Sequence, residues 1–262
     1  MSFDTALFEQ QISSRALTLG RPVSWRDETQ STSDDALAAA KAGAPHGALF
    51  GAETQSRGRG RRGSAWVSTP GAGLWVSLLL RPTLSAEQAP GLALCAGLAV
   101  REAVAQRVSA LVQVKWPNDV LAAGRKLAGI LVESQVSGSR LSSVVVGIGI
   151  NVAQTAFPEP ISASATSLAL LVATDLSREL LLVDVLQSFE AQLALLTNQG
   201  LPALAAALRL HDALLGKRLR IEATEGVGAG IDAAGKLIVR DDAEQLHPIA
   251  SGHVELLTTD DH

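Results

Sequence analysis

The stretch QSRGRGRRGSAW, residues 55–66, sets Arg57, Arg59, Arg61 and Arg62 among glycines. Arginine offers a planar, permanently charged fork suited to carboxylate and phosphate oxygens. Glycine lets the backbone approach a ligand closely. Together they point to a compact anionic ligand, although a solvated basic surface loop would show the same run. Four neighbouring cations repel one another, so the loop is expected to be poorly ordered until a ligand supplies opposite charge. A literal G-x-G-x-x-G falls on Gly58, Gly60 and Gly63, but a dinucleotide fingerprint needs a helix directly after it. SAWVSTPGAGLWVS follows instead, and Pro70, Gly71 and Gly73 exclude that helix. No phosphate-binding G-x-x-x-x-G-K-[ST] occurs. Nucleic-acid binding would want aromatics or further basic clusters, and only Trp66 stands close.

A second group lies in KWPNDVL (115–121) and RKLAGILVES (125–134), which flank one turn. Asn118 and Asp119 sit at a strand end, where they could face a ligand or a metal-bound phosphate, or bond their own turn. Strand alternation puts Ala128, Ile130 and Val132 on the face of Lys126, which leaves an edge lysine and a site lysine equally open. Gly129 weakens its strand unless something must approach the backbone there. The histidines, at 46, 211, 247, 253 and 262, lack the spacing of a zinc site. No G-x-S-x-G suggests a hydrolase.

These residues need a scaffold. TSDDALAAAKAG reads as a short helix capped by Thr32 or Ser33, with Asp34 and Asp35 in its first turn and Gly43 as stop. Residues 47–55 and 73–82 read as strands, 88–108 as a long helix with Pro90 near its start, and 111–116 as a strand closed by Pro117. A hairpin turned at Gly124 and a buried strand, SSVVVGIGINV, follow. A helical pattern runs from Ser177 to Leu210, broken at Gly200-Leu201-Pro202. Beyond residue 213 the pattern changes to short strands with glycine turns. This predicts two domains, 1–213 and 214–262. With 262 residues, 47% hydrophobic and 18% charged, the chain can bury a sizeable core. A net charge of −4 opposes a general nucleic-acid or membrane-surface binder, so the arginine field is local. Cys95, the one cysteine, lies in an apolar run that reads as buried packing. It excludes an internal disulfide and fits a reducing cytosol. The start, MSFDTALFEQQ, lacks the basic and apolar regions of a signal peptide, so a cytoplasmic protein is expected.

STS (31–33), QSRGRGRRG (55–63), KWPND (115–119), KLAGILVE (126–133) and GIGIN (147–151) occur in this order at spacings that resemble the biotin protein ligases. The resemblance implies an α+β catalytic domain on the fold shared with class II aminoacyl-tRNA synthetases and lipoate ligases, followed by a small SH3-like barrel. It implies activation of biotin by ATP and Mg²⁺, and transfer to a lysine of a biotin carboxyl carrier protein of acetyl-CoA carboxylase. By the same resemblance, Ser31 and Thr32 would bond the ureido head of biotin with Gln55 beside them, and Ser33 and Gly129 would complete the biotin site. Arg59, Gly60, Arg61 and Lys126 would meet the biotin carboxylate and the α-phosphate. Trp66 would lie against adenine, and Asn118 and Asn151 would contact the nucleotide or its Mg²⁺. The chain departs from the pattern at Ser33, where relatives often carry Asn, and in SGHVELLTTDDH, which lacks an arginine that some relatives extend to the nucleotide. Few residues precede the first motif, so no DNA-binding domain is expected; a homodimer is left open. Lipoate or octanoyl transfer, and a non-catalytic nucleotide or RNA module, are the rival readings. Ser31 and Thr32 suit a polar ureido head and favour biotin.

Overall fold

The computed structural model describes residues 2–137 and 140–257. Four helices, α1 (Thr5–Ser14), α2 (Thr32–Lys41), α3 (Ala89–Ala105) and α4 (Arg178–Arg209), accompany seven strands of a mixed sheet. These are β1 (Val23–Thr29), β2 (Leu49–Gln55), β3 (Gly73–Leu80), β4 (Val112–Lys115), β5 (Asp119–Ala122), β6 (Arg125–Ser137) and β7 (Arg140–Asn151). Their order is β1-β2-β3-β7-β6-β5-β4. Only β1 and β2 run parallel, which is why a helix, α2, connects them.

The two faces of the sheet follow from alternation. On β3, Leu74, Val76, Leu78 and Leu80 enter the main core, and on β7 so do Val144, Val146, Ile148 and Ile150. α3 and α4 pack against each other over this face, and α3 spans β4 to β7. Trp75, Ser77 and Leu79 on β3, and Val145, Gly147, Gly149 and Asn151 on β7, take the opposite face. There α2 covers Leu79 and Val145 with Ala36 and Ala40. The rest of that face is open and forms the floor of a cleft.

α2 begins one residue earlier than the sequence predicts. Ser31 is its N-cap with extended backbone angles, because the hydroxyl of Thr32 is committed to Gln55 and Ser77. The break expected at Gly200 is a kink inside α4, where Gly200 takes φ +76°. Among the described residues α4 is the one helix long and apolar enough to cross a membrane. Leu181, Leu182, Val185, Leu186 and Phe189 instead bury its apolar stripe in the core.

A separate antiparallel sheet follows: β8 (Arg218–Ile221), β9 (Thr224–Ile231), β10 (Leu237–Arg240), β11 (Leu246–Ile249) and β12 (Glu255–Leu256). Its order is β11-β10-β9-β8-β12. Its apolar residues Leu219, Ile221, Leu237, Val239 and Val254 belong to the same core as the first sheet. Hydrogen bonds cross the seam: Trp116 Nε1 donates to the Gly235 carbonyl and Lys115 Nζ to the Val254 carbonyl, both at 3.0 Å, and Arg62 donates to Glu222 at 3.5 Å.

Candidate functional site

A cavity of roughly 720 Å³ runs across the open face, lined at one end by Ser31, Thr32, Ser33 and Gln55 and at the other by Lys115, Asn118, Asp119, Lys126 and His253. Arg59, Gly60 and Arg61 form its rim, with Trp66 beside them, and Gly129 lies on its floor. The structure thus gathers every sequence-predicted site residue into one cleft except Asn151. Asn151 lines a smaller cavity of roughly 240 Å³ together with Gln154 and Phe157; Trp66 and Lys126 line both cavities. The Asn151 amide donates to the Thr166 carbonyl at 3.0 Å and accepts from Gln154 at 3.3 Å.

The glycines of GIGIN and of KLAGI make room. Gly129 and Gly149 are cross-strand partners, and the Trp66 indole lies over both. A Cβ at Gly149 would fall 2.6 Å from the indole, and one at Gly129 would fall 2.8 Å from it. Gly147 pairs with Ser77 and Leu131 in the next row of the floor, where a Cβ would meet Ser33 Oγ at 3.0 Å.

Lys126 reaches the cleft through a bulge. β5 and β6 pair as Val120 with Ala128, then as Leu121 with Lys126, so Leu127 is an extra residue. Leu127 and Ala128 both enter the core, and Lys126 is turned to the opposite face, beside Asp119 and Gly129. The alternation expected from sequence, with Ala128 and Ile130 on the lysine's face, is therefore overturned; bulges commonly re-aim a side chain next to an active site. Lys126 Nζ stands 2.7 Å from Asp119 Oδ1 and 5.4 Å from the Trp66 ring centroid.

The arginine loop folds on itself, with the Trp66 amide donating to the Gly58 carbonyl at 2.9 Å and Gly60 to the Ser64 carbonyl at 2.7 Å. Each cation has a partner within the chain. Arg57 meets Gln30 at 2.8 Å, Arg59 lies between Asp34 at 2.9 Å and Glu133 at 2.7 Å, Arg61 donates to Asn118 Oδ1 at 3.1 Å, and Arg62 meets Glu222 at 3.5 Å. Arg59 and Arg62 thus find carboxylates within the chain, whereas Arg57 and Arg61 meet neutral amides. Burial and then the neighbouring Arg62 hold Arg61 below its ordinary pKa, with Asp119 opposing. Burial likewise depresses Lys115, with Asp119 opposing and Lys126 adding to the fall. Both groups would gain from an incoming anion.

The Asn118 amide nitrogen donates to the Ile130 carbonyl on β6 at 3.0 Å, and not to its own turn, while its oxygen accepts from Arg61. Sequence reasoning missed Ser77, Lys115 and His253. A lone hydroxyl in the apolar run LWVSLLL is the signal that could have found Ser77; the other two depend on the seam between the sheets. Among the described residues no three His, Cys, Asp or Glu groups cluster to hold a metal. Asp119 is a carboxylate at this end of the cleft and is already paired with Lys126. The described residues supply no all-protein cage for Mg²⁺, and Asp119 is the carboxylate that could meet an ion brought by ATP. Residues 258–262, the end of the tail that lacks an arginine, lie outside the described residues.

A polar pocket leading to converging cations suits a ligand with a polar head and an anionic end. The profile of the biotin/lipoate A/B protein ligase family matches residues 27–151. The biotin–[acetyl-CoA-carboxylase] ligase of Mycobacterium tuberculosis is 38% identical, covering 84% of this chain and 85% of that protein. The bifunctional ligase/repressor BirA of Bacillus subtilis is 32% identical over 91% of this chain and 75% of its own length. The biotin protein ligase of Aquifex aeolicus, solved with biotin and ATP, superposes with a TM-score of 0.78 at 29% identity, covering 90% of this chain and 99% of that one. The chain belongs to the biotin/lipoate A/B protein ligase family.

Proposed function

We propose that the chain is an ATP-dependent biotin protein ligase, forming biotinyl-5′-adenylate and passing the biotinyl group to a carrier lysine. The observation that carries this reading is the continuous cleft from Ser31 and Thr32 to Lys126, rimmed by Arg59 and Arg61. In the first step a biotin carboxylate oxygen bonds to the α-phosphorus of ATP, and the bond to pyrophosphate breaks. One anion attacks another, so cations must stand where charge accumulates. Arg61 and Lys126 fill that role, and Arg59 joins them by leaving Asp34 and Glu133. Trp66, exposed to both cavities, is the wall against which adenine stacks, with Asn151 behind it. In the second step a neutral lysine of the carrier attacks the acyl carbon, forming an amide and releasing AMP. A free lysine has a pKa of about 10.4 and must lose its proton; Asp119 is the carboxylate among the described residues that line the cleft. The closed loop keeps water from the anhydride.

The carrier is the biotin carboxyl carrier domain of acetyl-CoA carboxylase, as the names of the relatives suggest. The catalytic unit is residues 1–213, and the module from 214 onward contributes Gly252, His253 and Val254 to the cleft wall. A single buried, reduced cysteine supports a cytoplasmic setting. The test is a single-turnover incubation with MgATP, biotin and a purified carrier domain, with lipoate in place of biotin as control. A carrier that gains the mass of one biotinyl group is the expected product. Charging by lipoate alone would replace this reading with the acyl-chain one.

A further inference from the structure

On the floor of the head pocket, Thr32 Oγ1 lies 2.8 Å from Ser77 Oγ, and Ser33 Oγ lies 3.1 Å from the same Ser77 oxygen. Ser77 is fully buried. The Thr32 amide donates to Gln55 Oε1 at 2.9 Å, which fixes the oxygen of that side chain, and not its nitrogen, toward the threonine. Gln55 Oε1 is also 3.2 Å from Thr32 Oγ1. A carboxamide oxygen carries no proton, so the proton between these two oxygens belongs to Thr32. With its one proton spent on Gln55, Thr32 must accept from Ser77. Ser77, having spent its own, must accept from Ser33. The Gln55 nitrogen points away and donates to Ser68 Oγ at 3.0 Å.

We infer that Ser77 is a positioning and specificity-determining residue: it polarises the chain Ser33–Ser77–Thr32–Gln55 so that Thr32 and Ser33 face the pocket as hydrogen-bond acceptors. The inference rests on the biotin reading above and goes beyond it. A cyclic urea carries two ring N–H donors and one carbonyl acceptor. Thr32 and Ser33 retain lone pairs for the two N–H groups. Ser31, whose side chain makes no capping bond, retains its proton for the carbonyl. A head group without N–H donors would leave buried oxygens unpaired, a mismatch that a polar site rejects strongly. The small Ser33 belongs to this device, since Gly147 gives its hydroxyl room to reach Ser77.

The experiment compares wild type, Ser77→Ala and Ser77→Cys, measuring KM for biotin, KM for ATP, kcat and the thermal midpoint. Loss of both hydrogen bonds that Ser77 makes in the chain is expected to raise the biotin KM of Ser77→Ala about tenfold. Its ATP KM and kcat at saturating biotin should stay within about twofold. Ser77→Cys keeps a weak donor and acceptor and should fall between. Should Ser77→Ala fail to fold, Ser77→Cys decides alone, with a rise in biotin KM of about threefold expected. A wild-type biotin KM, or an ATP KM that rises in step, overturns the inference. Failure of the biotin reading itself is distinct: the wild-type enzyme would then transfer no biotin at all.

Discussion

Arg61 is caught between Asn118 and solvent, desolvated and beside another cation, a state an anion relieves. Arg61→Ala is therefore expected to lower the rate of pyrophosphate release on the order of a hundredfold and to let adenylate leak, while the chain stays folded. Wild-type values for both would remove the loop from the chemistry. Lys126→Ala should fail at adenylation even with saturating biotin, because Lys115, the other lysine lining this end of the cleft, is held on the Val254 carbonyl; turnover equal to wild type would make Lys126 an edge lysine after all. At this scale the sequence was informative where residue type is itself the chemistry. Arginine forks, the STS hydroxyls and the WPND turn could be read directly. Facing was not readable for Lys126, since one inserted residue reverses alternation and Leu127 looks like any strand leucine. Ser77 was passed over because a single serine in an apolar strand reads as tolerance, whereas here it faces a polar floor.

The elements themselves were legible from punctuation. Gly43 ends α2, Pro117 closes β4, and Gly200-Leu201-Pro202 kinks α4. The β5–β6 hairpin shows both the strength and the limit of such signals. Ala122 and Arg125 pair across a two-residue turn, and both turn residues take positive φ, Ala123 at +50° and Gly124 at +75°. Glycine accepts this without cost, whereas alanine pays about 1–2 kcal/mol, and Asn-Gly is the favoured pair for such a turn. Ala123→Asn is expected to stabilise the protein by about 1 kcal/mol, read as a higher denaturant midpoint with an unchanged slope. Biotin transfer should be unaffected, since Ala123 does not line the cleft. An unchanged or lower midpoint would mean that the strands, and not the turn, set the hairpin's geometry. The arginine loop was the least readable element, because its partners Glu133, on β6, and Glu222, in the turn between β8 and β9, lie far along the chain.

At the scale of the whole molecule, the N-terminal segment is tied to the sheet and to α4 by one buried knot. Glu53 on β2 accepts from Arg178 at 2.8 Å, from the Phe3 amide at 2.7 Å and from Trp25 Nε1 at 3.0 Å. Phe3 stacks on Trp25 with ring centroids 3.7 Å apart. Glu179 accepts from the Asp4 amide at 2.8 Å. Sequence could not foretell this, since the hydrogen bonds join residues from 28 to 175 positions apart. Burial alone would raise the Glu53 carboxyl, but Arg178, Phe3 and Trp25 outweigh it and hold the group below the usual range. Asp184 is lowered too, its bonds to Arg107 and Arg15 outweighing burial. Groups lowered in the folded state bind fewer protons there than in the unfolded chain. Their stabilisation is complete above the unfolded values of roughly 4 and drains away as pH falls through the lower folded values. Glu53→Gln removes the carboxylate that pairs with buried Arg178, so it should cost on the order of 3 kcal/mol at neutral pH. The cost should shrink as the pH drops below about 4, where wild type loses the same contribution. Denaturant melts of both proteins between neutral and acid pH read this directly. A difference that stays constant across the acid range would show that the knot holds by shape and hydrogen bonding, and not by charge.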